Sequence, residues 1–266
     1  MLKKDTPKPL KDSHSVIDNA VKTFGIEKCT VAWTGGKDST LMLWLVRSYC
    51  KINDFELPTV IFIDEGDPFP EIESFTKELQ ASWSFSVHVL RNKDVLSQVK
   101  SLHDMVRVDL LNAANKQELK NIGFNKPAFP FDPESKAGNH LMKTTVLKDF
   151  IKERGVKALF TAIRRDEHPS RANETPLSER SDPEHTRVHP ILHFTERDIW
   201  DITREYSIPY CNLYEQGYRS LGTRSGTLCF SNLPAWEQDL ENTSERGGRD
   251  QDKEEIMSQL RSLGYM

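Results

Sequence analysis

The run Thr34-Gly35-Gly36-Lys37-Asp38-Ser39 gathers a glycine pair, a cation, a carboxylate and two hydroxyls within six positions. It closes a β-branched run, Cys29-Thr30-Val31-Ala32-Trp33, and opens an apolar helix, Leu41-Met42-Leu43-Trp44-Leu45-Val46. That context makes it a phosphate cradle. The glycines let the backbone turn with positive φ and bare its N–H groups, Lys37 adds a point charge, and the helix aims the positive end of its dipole at the anion. The spacing is not that of a Walker loop, which needs four residues between Gly and Gly-Lys. Two further charged clusters could take part. Asp64-Glu65-Gly66-Asp67 offers carboxylates, with Asp64 the first candidate to hold Mg²⁺, directly or through water; a helix cap or turn is its equal alternative. Arg164, Arg165 and Arg171, three guanidiniums within eight residues, suit the bidentate grip of a tetrahedral oxyanion such as sulfate or phosphate. Asp166 and Glu167 stand where they could orient them.

The elements that must position these clusters follow from hydrophobic patterning. Pro58-Thr59-Val60-Ile61-Phe62-Ile63 is a second strand ending in the Asp64 cluster, followed by an amphipathic helix near 71–81 and a short strand over 85–90. Residues 96–103 and 112–119 read as helical, and 121–138 as a Gly/Pro/Asn-rich loop. A helix over about 140–154 stops at Gly155, and 156–163 is a buried strand. This alternation predicts an α/β fold with a doubly wound, mostly parallel, Rossmann-like sheet covered on both faces. Ligands of such sheets bind beyond the carboxyl ends of the strands, where all three clusters fall. From Ile163 to Arg187 the chain is polar and rich in Pro, Ser and Arg, as an active-site loop would be. Thr195 caps a helix, with Asp198 in the place of the usual Glu and Ile199, Trp200, Ile202 and Tyr206 on its buried face. Gly217-Tyr218-Arg219-Ser220-Leu221-Gly222 is a second glycine-bounded turn. The expected organisation is an N-terminal helical segment at 1–24, a nucleotide-binding α/β domain at 25–228 and a charged, helical C-terminal tail at 229–266, helical from about Pro234.

Composition narrows the functions. The 266 residues, 37% hydrophobic and 29% charged, suit one α/β core with appendages. A net charge of −4 and a pI near 6.1 argue against a general nucleic-acid binder. No apolar h-region follows Met1-Leu2-Lys3-Lys4-Asp5, and no stretch approaches the ~18 apolar residues of a membrane span, so a cytoplasmic protein without a membrane partner is expected. Cysteines 29, 50, 211 and 229 lack C-x-x-C spacing; Cys29 and Cys50 read as core, and no iron–sulfur cluster is expected. His168, His185, His189 and His193, spaced by 17, 4 and 4 and interrupted by prolines, match no metal-ligand pattern and read as solvated or structural.

The loop resembles the [ST]-G-G-K-D-S loop of the ATP pyrophosphatases, which grip the pyrophosphate end of ATP while a nucleophile attacks the α-phosphate. Together with Asp64-Glu65-Gly66, Phe69-Pro70-Glu71 and the 217–222 turn, it is similar to the phosphoadenosine phosphosulfate reductase superfamily, whose fold is adenine-nucleotide α-hydrolase-like. His140-Leu141-Met142-Lys143-Thr144, Arg164-Arg165-Asp166-Glu167 with Ser170-Arg171-Ala172, and Thr243-Ser244-Glu245-Arg246-Gly247-Gly248-Arg249 look most like the small, ATP-binding subunit of heterodimeric sulfate adenylyltransferase.

The resemblance implies ATP plus sulfate giving adenosine 5′-phosphosulfate and pyrophosphate, with Mg²⁺. It also implies a GTPase large subunit as partner, which this chain, lacking G-x-x-x-x-G-K-[ST], would need as a separate protein; a homo-oligomer is the other assembly considered. Thr34 to Ser39 and Asp64 would hold the nucleotide, Lys37, Arg164 and Arg165 would act in catalysis, and Arg164, Arg165, Arg171, Lys143 and Arg219 would bind sulfate or phosphate. No flavin prosthetic group is expected. Three alternatives stand beside this. A reductase of the same superfamily uses a C-terminal Glu-Cys-Gly thiolate; Leu228-Cys229-Phe230 lacks that motif, which leaves Cys229 as a lone nucleophile. FMN adenylyltransferase would suit the 214–222 segment equally well. The third alternative is a nucleotide-binding subunit inactive without its partner.

Overall fold

The computed structural model describes residues 7–248. Its central strand is β1 (Cys29–Ala32), flanked on one side by β2 (Thr59–Ile63) and β3 (Val87–Leu90), all parallel. On the other side of β1 lies β6 (Ala158–Phe160), again parallel, then β8 (Glu184–Val188), and last β7 (Leu177–Ser181), which pairs antiparallel with β8. The chain thus winds outward in one direction from β1 and later returns to build in the other. A crevice opens at such a reversal, beyond the carboxyl end of β1. The loop at 34–39 sits there.

One face of this Rossmann-like sheet carries α1 (Lys8–Phe24), α2 (Lys37–Asn53), α3 (Pro70–Trp83) and α8 (Glu196–Glu205), which share the main core with Val31, Val60, Phe160 and Val188. The N-terminal helix is part of this core, through Leu10, Ile17 and Ala20. The other face is covered by α7 (Val146–Arg154), whose Phe150 and Ile151 pack with Ile61, Leu90 and Leu159. A smaller apolar cluster joins β4 (Met105–Arg107) and β5 (Ala128–Pro130) to α5 (Ala113–Asn121) and Leu141. Between α6 (Lys136–Asn139) and α7 the helix widens into a π-turn over His140–Thr145. That turn presents Lys143 and Thr144 to the crevice.

Several elements differ from the expectation. The helix expected over 96–103 is only α4 (Lys93–Leu96), after which Asp104 accepts bonds from the N–H groups of Lys100 and Ser101 and His103 takes φ +67°. Such local side-chain-to-backbone bonds compete with helix propagation. The supposed loop at 121–138 contains β5, and the polar stretch up to Arg187 contains the β7–β8 hairpin, which completes the sheet. Tyr206 is exposed, tilted against Trp44 at 5.2 Å, not part of the buried face of α8. Residues 234–248 form only short 3₁₀ turns at Ala235–Glu237 and Glu245–Gly248; side-chain contacts, not a helix, hold them, and 249–266 lie outside the described residues.

Candidate functional site

The loop at 34–39 is shaped by its own small residues. Gly35 takes φ +76°, and a Cβ there would come within 3.1 Å of the Ile72 side chain, so both the backbone angle and the space call for glycine. Gly36 sits at the N-cap of α2 without a side-chain cap. The hydroxyls of Thr34 and Ser39 lie 3.0 Å apart, and Ser39 Oγ also accepts from Thr34 N, bracing the turn across its mouth. Lys37 N–H donates to Tyr214 Oη at 2.8 Å.

The charges of the loop are buried and paired. Lys37, 2% exposed, donates to the Arg219 carbonyl at 3.0 Å, lies 3.2 Å from Asp38 Oδ2 and bonds Glu245 Oε1. Arg164, fully buried, bonds Asp166 Oδ1 at 2.9 Å through Nε and reaches Asp38 and Glu245 with its two other nitrogens. One carboxylate, Glu245, is therefore clasped by both cations. Burial alone would raise its pKa, but Lys37 and Arg164 outweigh that and hold it at about 2. For Lys37 and Arg164 burial pulls down, yet Asp38 and Glu245 win and raise both. The neighbourhood is anchored by α8: its capping box at Thr195 and Asp198 fixes the helix start, Glu196 N–H donates to Asp166 Oδ2 at 2.8 Å, and the Glu196 carboxylate holds Arg219.

A cleft of about 300 Å³ opens beside the loop and is lined by Thr34, Gly36, Lys37, Asp38 and Ser39 at one end. The sequence-derived candidates divide around it. Lys143 and Arg171 line the cleft; Lys143 pairs with Glu65 at 3.0 Å, and Arg171 with Glu167, which also holds Arg246 at 2.8 Å. Arg164 lies directly beneath, behind Asp38 and Glu245. Arg165 is exposed and donates to the Glu174 carbonyl at 2.9 Å, outside the lining. Arg219 is interior: its nitrogens hold Glu196, Thr243 Oγ1 and the Asp239 carbonyl, fastening the C-terminal segment. Asp64 adopts the turn role, accepting from Gly66 N at 2.8 Å and Arg91 Nε at 2.6 Å, and is not on the cleft.

The carboxylates that do line the cleft, Asp38, Glu167, Asp182 and Glu245, are each paired with a cation. Among the described residues no group of three or more His, Cys, Asp or Glu side chains gathers as a metal site. Asp64, the expected Mg²⁺ ligand, is turned to Gly66 and Arg91 and lies off the cleft. Sequence reasoning missed Glu245 and Tyr214 as partners of the loop. The motif at 243–249 marked the segment holding Glu245 without revealing its contact; Arg249 lies outside the described residues.

A mostly parallel sheet that reverses at β1, with a glycine–lysine loop at the reversal, defines a Rossmann-like α/β domain of the PP-loop kind. The sequence matches the phosphoadenosine phosphosulfate reductase domain over residues 28–229, and the chain belongs to that family. It is 28% identical over 240 residues to sulfate adenylyltransferase subunit 2 of Nocardia farcinica, covering 82% of this chain and 68% of that protein. It is also 26% identical over 223 residues to a probable FAD synthase of Caenorhabditis elegans, covering 82% of this chain but only 34% of the relative. In three dimensions it is similar to the Candida glabrata FMN adenylyltransferase, with a TM-score of 0.64 at 16% identity, covering 94% of this chain and 91% of the other. The relatives are by name nucleotide-handling enzymes, and no described helix is long and apolar enough to cross a membrane.

Proposed function

We propose that this protein transfers the adenylyl group of ATP to sulfate, giving adenosine 5′-phosphosulfate and pyrophosphate. The observation that carries the reading is the single carboxylate clasped between Lys37 and Arg164 at the phosphate loop: this part of the molecule is built to hold an anion between two buried cations. In the reaction a sulfate oxygen forms a bond to the α-phosphorus, the bond from that phosphorus to the bridging α–β oxygen breaks, and the electron pair leaves with pyrophosphate. Sulfate enters as a dianion, so no proton has to move. Lys37, Arg164 and the loop N–H groups stabilise the charge growing on the departing pyrophosphate. Lys143 and Arg171, on the cleft wall, orient the incoming sulfate. Seating the pyrophosphate end of ATP requires Glu245 to give up its two cations, an exchange of one anion for another. A separate GTPase subunit is the partner this reading implies, in keeping with the "subunit 2" in the name of the Nocardia relative.

One observation favours a second acceptor, FMN: the cleft continues from the loop to the β7–β8 hairpin, well beyond the reach of sulfate. Incubation of the protein with radiolabelled ATP and either sulfate or FMN, with and without a GTPase partner, followed by product identification, tests both. Labelled adenosine phosphosulfate is the expected product. Labelled FAD alone would replace sulfate by FMN, and no adenylylated product in any arm would refute adenylyl transfer.

A further inference from the structure

The cleft has a second end, away from the loop at 34–39. It descends the sheet face beside α7, past Leu147, Ile151 and Leu159, to His185 and Arg187 on β8 and Arg180 on β7. Thr186 pairs with Ala158 and Val188 with Phe160, so His185 lies level with residue 157, four residues below Thr161 on the lining. At strand rise this is a depth of roughly 13 Å, suited to a nucleotide or mononucleotide lying lengthwise.

The hydrogen-bonding groups at this end are incomplete. His185 is 7% exposed, and its Nδ1 lies 2.7 Å from the Pro183 carbonyl, an acceptor, so Nδ1 must carry the hydrogen. Burial, with Arg187 and Arg180 nearby, lowers the imidazole pKa and keeps the ring neutral, which makes Nε2 an acceptor. That Nε2 is buried and has no bonding partner among the described residues. Arg180 Nε is likewise buried and unbonded, although its other nitrogens hold Glu174 and the Glu179 carbonyl. A bare acceptor and a bare donor at the foot of a slot that has Leu147, Ile151 and Leu159 on one wall and the Lys148–Asp182 pair and Arg187 beside them favour a flat ligand with an apolar face and a polar edge.

We propose that the hairpin end of the cleft is a subsite for a heteroaromatic ring whose edge carries an N–H donor beside an acceptor, the N–H bonding His185 Nε2 and the acceptor taking a bond from Arg180 Nε. The proposal rests on the reading of the loop as the phosphate end of the same ligand path. Two sources offer this chemistry, the adenine of ATP and the isoalloxazine of FMN.

Calorimetric titration of the full chain with ATP, purine riboside triphosphate, FMN and pyrophosphate tests it, using His185→Phe and His185→Gln, the latter keeping an acceptor oxygen. Loss of one buried hydrogen bond is expected to weaken the ring-bearing ligand about 10-fold in His185→Phe. His185→Gln should recover most of that, and pyrophosphate should be unaffected. If adenine is the ring, ATP weakens in the variant and purine riboside triphosphate, lacking the amine, binds the wild type about as weakly. If flavin is the ring, FMN weakens and ATP does not. Unchanged affinity for both ATP and FMN, or a parallel loss for pyrophosphate, overturns the subsite. Should His185→Phe fail to fold, equal wild-type affinity for the two triphosphates together with no FMN binding overturns it as well. A wild type that binds pyrophosphate but ignores His185 sinks the subsite alone, whereas one that binds no pyrophosphate sinks the reading of the loop.

Discussion

The two ends of the cleft solve opposite problems. At the loop end every charge has a partner: Lys37 and Arg164 are neutralised by Asp38, Asp166 and Glu245 from their own chain. At the hairpin end one nitrogen of a neutral imidazole, His185 Nε2, and one guanidinium nitrogen, Arg180 Nε, are buried without a bond among the described residues. Two cations buried side by side would be costly without anions, so the protein supplies carboxylates that pair with both. A neutral acceptor costs less to leave unpaired, and the same cost makes it selective, because a ligand lacking the right N–H pays it in full. On the proposed function, the loop end would supply strength and the hairpin end discrimination.

The largest expected effect comes from breaking the loop cluster. Arg164→Met leaves the buried Glu245 and the half-buried Asp38 with one cation fewer, and should lower the unfolding free energy by about 3–5 kcal/mol. Urea denaturation of wild type and variant measures it; equal midpoints would mean that the cluster is not held as tightly as its geometry indicates. Next is Lys37→Ala, which on the proposed function removes a donor to the leaving group and should slow ATP–pyrophosphate exchange about 100-fold. A variant with full exchange would refute the assignment of the loop. Both effects should exceed the tenfold change expected at His185, and the reverse order would invert the comparison.

The same contrast governs what could be read from the sequence. The loop was legible because its residues are contiguous and its strand and helix are its immediate neighbours, so local rules suffice. The cap at Thr195 was legible for the same reason. The hairpin was hidden because the face it turns to the cleft carries Arg180, His185 and Arg187 where a buried strand would carry apolar side chains, so no period-two pattern appears. Arg164 and Arg165 are equivalent by type; with β6 ending at Phe160, only the folded path of the following residues sends Arg164 inward and leaves Arg165 exposed. Asp64 depended on Arg91, 27 residues away, and the role of Glu245 on a lysine 208 positions earlier. Such pairings arise from topology, not spacing.

A gentler perturbation sharpens the loop end further. The Glu245 carboxyl is held at about 2, against an ordinary value of 4.5. A lowered native pKa adds stability that is fully present above the unfolded value and is lost as pH falls toward the folded one. Wild type should therefore lose stability between about pH 5 and pH 2 more steeply than Glu245→Gln, which has no proton to bind there. Parallel acid limbs in pH-dependent unfolding would show that Glu245 is not charged in the fold. The same variant should bind pyrophosphate a few-fold more tightly, since the phosphate no longer displaces a carboxylate, and calorimetry would read that directly.

The smallest effect is expected at Cys229, and its size separates two reaction classes. Cys229 is exposed and lies off the cleft lining, its thiol donating to the carbonyls of Gln216 at 3.3 Å and Ser231 at 3.2 Å. Adenylyl transfer asks nothing of a thiol, so Cys229→Ser, which keeps a donor for the same carbonyls, should leave ATP–pyrophosphate exchange within twofold of wild type. A thiolate-dependent reduction would instead be abolished, because serine cannot form the covalent sulfur intermediate that such chemistry requires. Abolition of turnover in Cys229→Ser would shift the chemistry away from the cleft and toward an exposed thiol, which the arrangement of Lys37, Arg164 and Glu245 does nothing to serve.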